Sequence, residues 1–164
     1  MAFEIPENLH ADLMPVVWLL GTWHGKGRGA YPGVEAHEFA QQAVFVHDGR
    51  PFLHYFSRTW RIDESAEKVA EGPLETGFLR RGKDDGYELV LTHDNGSVEV
   101  WYGRTDGARL ELATDLVART ETAPEVTAGK RLYGLVEGDL LYAWDIAAGG
   151  HELQSYTWGR LQRA

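Results

Sequence analysis

The stretch His47-Asp48-Gly49-Arg50-Pro51-Phe52-Leu53-His54-Tyr55-Phe56-Ser57-Arg58-Thr59-Trp60-Arg61-Ile62 decides the class of fold. It opens on a tight-turn signal: a glycine after an aspartate supplies the positive φ that a short hairpin needs. From Phe52 the chain alternates. Phe52, His54, Phe56, Arg58, Trp60 and Ile62 share one face, and Leu53, Tyr55, Ser57, Thr59 and Arg61 share the other. A period of two is the signature of a strand.

The same reading extends in both directions. Asp84-Asp85-Gly86, Asp94-Asn95-Gly96, Asp106-Gly107, Glu137-Gly138-Asp139 and Gly149-Gly150 are further turn signals. Between them, Tyr87, Leu89, Leu91 and His93 alternate, and Leu140, Tyr142, Trp144 and Ile146 oppose Leu141, Ala143 and Asp145. About ten strands follow Gly21, and connections this short join only antiparallel neighbours. Closing so long a meander removes its edges. The expected fold is therefore all-β, an antiparallel up-and-down β-barrel. A two-sheet sandwich is the alternative, but it calls for longer Greek-key connections. The least patterned stretch, from about Asp63 to Gly72, reads as a charged surface loop.

One segment reads as helix. Asn8 caps a stretch from about Leu9 to Leu20, with Leu13, Val16, Val17 and Leu20 at helical spacing. Pro15 is expected to break it into two short pieces. Residues 1–20 thus form an N-terminal segment closing the barrel, and residues 21–164 form the barrel domain.

Composition bounds the function. A length of 164 residues with 43% hydrophobic content fits one domain with a core. With no cysteine there is no disulfide framework, iron–sulfur site or thiolate zinc site. A net charge of -9, with no basic cluster beyond Arg80-Arg81 and Lys130-Arg131, argues against nucleic acid as a partner. The longest apolar run, Val16 to Leu20, is too short to span a membrane, and Met1 to Glu7 lacks the features of a signal peptide. A cytoplasmic location is expected.

The sequence holds no His-Glu-x-x-His, phosphate-binding loop or Gly-x-Ser-x-Gly elbow. His37-Glu38 and His47-Asp48 are adjacent pairs whose side chains point to opposite faces of a strand, so neither chelates a metal locally. Glu35, Glu38, Asp115, Glu125 and Glu137 are scattered and read as a solvated face. Trp60, Trp101, Tyr102, Tyr142 and Trp144 read mostly as barrel wall or core.

The most distinctive motif is Gly21-Thr22-Trp23-His24-Gly25-Lys26-Gly27, followed by Gly29, Tyr31 and Pro32. Its glycines leave one face of the first strand bare, so the backbone bends sharply or lies close to something bulky. Trp23 shares that face and plugs a barrel end. Gly-x-Trp-x-Gly-x-Gly with a following Tyr-Pro resembles the nitrobindin family of fatty-acid-binding-protein-like barrels. The resemblance runs from about Leu13 to Arg163. It includes Phe39, Val44-Phe45, Pro51-Phe52-Leu53, Glu75-Thr76-Gly77-Phe78-Leu79-Arg80, Glu88-Leu89-Val90-Leu91-Thr92-His93, Glu125-Val126-Thr127 and Arg131.

The resemblance implies a ten-stranded barrel that binds haem b at its open end, often as a homodimer. Its ferric haem interacts with nitric oxide and converts peroxynitrite to nitrate. It also implies that a last-strand histidine, in a pattern like Leu-Gln-x-His-Leu, holds the iron. Here Leu153-Gln154-Ser155-Tyr156-Thr157-Trp158-Gly159-Arg160-Leu161 puts Tyr156 at that position, as in ferric nitrobindin-like proteins that lack the axial histidine.

Three consequences are open. In the first, the haem-iron chemistry is lost or weakened and the barrel takes a small hydrophobic or planar ligand. Trp158, two residues from Tyr156 and so on the same face, fills the space a macrocycle needs. In the second, Tyr156 ligates ferric haem as a phenolate, which needs a nearby cation, Arg160 or Arg131. In the third, another histidine substitutes: His151, which needs a bulge to reach the inner face, or His54, His93 or His24. Tyr156, Trp158 and Arg131 are the candidate cofactor-binding residues, and Gly21, Trp23, Gly25 and Gly27 are the family motif. A protein-derived metal site and catalytic side chains are not expected.

Overall fold

The computed structural model describes residues 3–164; Met1 and Ala2, the start of the stretch read for a leader, lie outside the described residues. A 3-10 helix, Ala11–Leu19, precedes ten strands: β1 Gly21–Tyr31, β2 Val34–Val46, β3 Phe52–Ile62, β4 Lys68–Arg81, β5 Tyr87–His93, β6 Ser97–Thr105, β7 Arg109–Arg119, β8 Val126–Val136, β9 Asp139–Ala148 and β10 Gln154–Arg163. Each strand pairs antiparallel with the next, and β1 closes on β10 from Trp23↔Arg163 to Gly29↔Thr157. The barrel is therefore closed, and the sandwich alternative falls. No helix among the described residues is long and apolar enough to cross a membrane.

The turns fall where the glycine signals put them, with one difference. At Asp84-Asp85-Gly86 the positive φ sits on Asp84 and Asp85, at 53° and 60°, and not on the glycine. Short polar side chains tolerate that region. The stretch read as a loop from Asp63 to Gly72 is a loop only as far as Glu67: β4 already runs from Lys68, pairing Ile62↔Lys68, Arg61↔Ala70 and Trp60↔Glu71 through two register shifts. Its charges obscure the alternation because this part of β4 stands at the open rim and is wet.

The N-terminal segment also differs from expectation. It is one 3-10 helix with Pro15 inside it, capped by His10, whose Nδ1 accepts from the Asp12 N–H at 3.1 Å; Asn8 is not the cap. Short helices are held by packing more than by propensity. Here Leu13, Val16 and Leu19 are fully buried, and the Pro15 carbonyl accepts from Trp18 Nε1 at 3.0 Å.

This helix closes one end of the barrel. Trp23 is fully buried beneath it and donates from Nε1 to the Leu19 carbonyl at 2.8 Å. Arg163, from the end of β10, donates to the carbonyls of Trp18 and Leu20, and its guanidinium stands 4.1 Å over the Trp23 ring. A cation on the last carbonyls of a helix satisfies acceptors that have no partner within it. Tyr87 adds a bond from its hydroxyl to the Asp12 carbonyl at 2.7 Å.

Close approach to backbone requires glycine at several strand positions, Gly25, Gly77 and Gly103 among them. A Cβ on Gly25 would lie 2.1 Å from the Arg160 carbonyl oxygen, and one on Gly77 would lie 1.8 Å from that of Val90. Backbone cannot yield as a flexible side chain can. Gly77→Ala is thus expected to destabilise the fold by about 3 kcal/mol or more in urea denaturation. Gly134→Ala, whose Cβ would meet nothing closer than 3.9 Å, should stay within about 0.5 kcal/mol of the parent.

Candidate functional site

The helix fills one end; the other is open. Inner-facing residues there surround a cavity of about 720 Å³, within the range of roughly 300–1,000 Å³ typical of small-molecule and cofactor sites. Its walls carry Phe39, Tyr142, Trp144 and Tyr156, and its rim carries Arg61, Glu71, Asp94 and Asn95.

The shape of that cavity depends on one irregularity in β10. Ser155 pairs with Asp145 and Thr157 pairs with Trp144, so Tyr156 is an extra residue with no partner on β9. A bulge of this kind breaks strict alternation. Tyr156 and Thr157 both face the cavity. Trp158 then points outward, 43% exposed, in a surface groove with Lys26, Arg28 and Arg160. The expectation that Trp158 shares the face of Tyr156 and fills the barrel is therefore corrected. Arg160 is outside as well, paired with Asp139 at 2.6 Å, and is no partner for the phenol.

Tyr156 itself is held edge-on to Trp144, with centroids 5.1 Å apart, and to Tyr31 at 5.9 Å. Burial pushes its phenol pKa up, and Glu75 adds to this; Arg61 opposes it without prevailing. In the protein alone the phenol keeps its proton at neutral pH.

The cavity floor is an ionic network. Arg131 is 5% exposed and grips Glu75 through two parallel bonds, Nη1 to Oε1 at 2.6 Å and Nη2 to Oε2 at 2.7 Å. Such fork-to-carboxylate pairs are among the stronger polar contacts. Tyr55 donates to the same carboxylate at 2.7 Å, and Arg131 donates to the Tyr133 hydroxyl at 3.1 Å. His93 lies between two carboxylates, with Nδ1 3.4 Å from Glu75 and Nε2 against Glu99, which is 1% exposed. The Arg131 guanidinium also lies 4.1 Å over Trp144. Burial alone would raise the Glu75 pKa, but Arg131, His93 and Tyr55 outweigh it and hold the carboxyl at about 2.

The structure thus brings Arg131 and Tyr156 into one cavity and leaves Trp158 outside. Gly21, Trp23, Gly25 and Gly27 belong to the first strand, with Trp23 in the closed end. Of the candidate histidines, His24 and His54 are exposed on the outer face, His54 stacking on Phe78. His151 is exposed on the turn before β10, 5.9 Å from the Tyr31 ring centroid, and His93 is committed to the floor. Three inner residues are not singled out as inner by the sequence: His37, Glu75 and Glu99. Parity could have found them, because His37 alternates with Phe39 and Gln41, and Glu75 with Gly77 and Leu79. Among the described residues no group of three or more His, Asp or Glu side chains could hold a metal ion.

Comparison with known proteins adds to this geometry. The family described as "THAP4-like, heme-binding beta-barrel domain" matches residues 12–163. A protein of Nocardioides sp. named peroxynitrite isomerase is 56% identical over 163 residues, covering 99% of each chain. One of Streptomyces griseus named ferric nitrobindin-like protein is 41% identical over 98% of this chain and 85% of its own. The crystal structure of Rv2717c from M. tuberculosis superposes with a TM-score of 0.85 at 33% identity, covering 95% of this chain and 99% of that one.

Glu75 sets the acid limit of the floor. Its folded-state pKa lies below the ordinary value of 4.5, so its contribution is complete above that value and is lost as pH falls towards about 2. Glu75→Gln should cost about 3–5 kcal/mol at neutral pH, because Arg131 is left buried without its counter-charge. Denaturant titrations at several pH values should show the gap between parent and variant narrowing as pH drops through that window.

Proposed function

This chain belongs to the family of THAP4-like, haem-binding β-barrel domains, and from that premise we propose that its open cavity binds a planar macrocycle, with ferric haem b as the ligand. The observation that carries this reading is the bulge at Tyr156, which turns Trp158 out of the barrel and leaves the inner space free.

The residues present fit such a group. The cavity is large and its walls are aromatic. On β1, Gly29 presents a bare inner face, where a Cβ would crowd His37 at 2.9 Å and Thr157 at 3.2 Å. Arg61 at the rim offers a cation to acidic substituents of a ring that lies with its polar edge outward. The buried cation of the floor, Arg131, is already paired with Glu75. When bound, ferric haem supplies an electrophilic iron for nitric oxide or peroxynitrite. The Nocardioides relative is named for peroxynitrite isomerisation, and we carry that conversion to nitrate over to the loaded barrel. We take Tyr156 to stand where the family's histidine does. Clasped edge-on between Trp144 and Tyr31, it serves in this reading as wall and not as ligand.

Hemin titration of the purified protein tests this. A Soret band saturating at about one equivalent is expected. Trp158→Ala should leave the affinity within about twofold. Thr157→Trp, which places an indole on the inner face, should abolish binding while the circular dichroism spectrum is kept. Absence of a saturating band, or strong loss in Trp158→Ala, would contradict the reading.

For the partner state, we infer a homodimer through the outer wall. His54, Phe78, Val90, Val100 and Leu116 are successive cross-strand neighbours on β3 to β7, and Phe78, Val90 and Leu116 are exposed. A contiguous apolar row on an outer face marks an interaction surface. Sedimentation should give a dimer that Phe78→Lys with Leu116→Lys converts to monomer; a monomeric parent would contradict it.

A further inference from the structure

We propose that His37, on β2, would supply the nitrogen that holds the iron of a haem in this cavity, in place of a β10 histidine; this rests on the haem reading above. Among the described residues, His37 is the one histidine that lines the cavity. Its Nδ1 lies 2.9 Å from the Glu35 carbonyl oxygen. A carbonyl oxygen only accepts, so Nδ1 carries the proton. In the neutral ring Nε2 then holds the lone pair, the tautomer that a backbone carbonyl fixes in histidines that bind metals.

The ring is also placed next to β10. His37 pairs with Gly29 across β1, and Gly29 pairs with Thr157 across β10. Because Gly29 has no side chain, the Cε1–Nε2 edge of the imidazole lies over it: the position of a Gly29 Cβ is 2.9 Å from Cε1, 3.0 Å from Nε2 and 3.2 Å from the Thr157 methyl. His37 therefore occupies the wall beside Thr157, one residue from Tyr156. A side chain at position 29 would push the imidazole away. The other inner imidazole, His93, has both nitrogens facing carboxylates. His37 instead has one nitrogen anchored to backbone and the other left for a ligand.

The test uses the full chain loaded with hemin, with histidine labelled with nitrogen-15. The ferrous complex should show an iron–histidine stretching band in resonance Raman that shifts with the label. His37→Gly should lose the band and weaken hemin binding by about tenfold or more, since even loss of an outer-shell partner costs that much. Added imidazole should restore the band in His37→Gly, and Tyr156→Phe should keep it. A band that persists in His37→Gly would assign the ligand to another histidine and overturn the inference. So would a ferric charge-transfer band that Tyr156→Phe removes. A protein that takes up no hemin would overturn this inference and the haem reading together. A hemin complex without an iron–histidine band would overturn this inference alone.

Discussion

An unbroken strand would put Tyr156, Trp158 and Arg160 on one side of β10. The single unpaired residue between Ser155 and Thr157 shifts that parity. Tyr156 and Thr157 then both face inward, and the indole of Trp158 and the guanidinium of Arg160 face solvent. An indole on the inner face would occupy much of the space near the rim, and a well-packed wall does not stretch to absorb it. The bulge therefore keeps the Trp158 indole out of the cavity.

Below this open part, the barrel is held by a second device. Glu75 on β4 and Arg131 on β8 face each other across the interior, each 56 residues from the other in sequence. Tyr55 on β3, Tyr133 on β8 and His93 on β5 complete the network. Charges in such a place are costly unless paired and hydrogen-bonded. Here the bidentate bond meets that demand and fixes the distance between opposite walls. Arg131 also lies flat on Trp144, and Trp144 is the β9 partner of Thr157. One row of inner neighbours thus runs from the ionic floor to the bulge and on through Gly29 to His37.

The fold was legible because its signals are local. Glycine turns such as Asp48-Gly49 and Asp94-Asn95-Gly96 and the period of two from Phe52 to Arg61 need no tertiary information. The bulge was not legible, because Ser155-Tyr156-Thr157 contains neither glycine nor a broken alternation, and only pairing with β9 reveals the extra residue. The helix cap was misplaced for a similar reason: His10 wins over Asn8 through where the segment docks. The floor was partly readable. Arg131 stood out, whereas Glu75 was seen only as part of a motif, and its role appears when β4 and β8 meet across the barrel. His37 was passed over because its neighbour Glu38 was weighed as a chelating partner, when its true neighbour is the bare Gly29.

A crystal structure of the protein grown with hemin, with the iron located by its anomalous scattering, would show which side chain holds the metal. One iron is expected inside the barrel, at the wall formed by His37, Gly29 and Thr157, bonded to His37 Nε2, with Trp158 still outside. An iron bonded to the Tyr156 oxygen, an iron on the outer surface, or an indole of Trp158 found inside an empty barrel would contradict it.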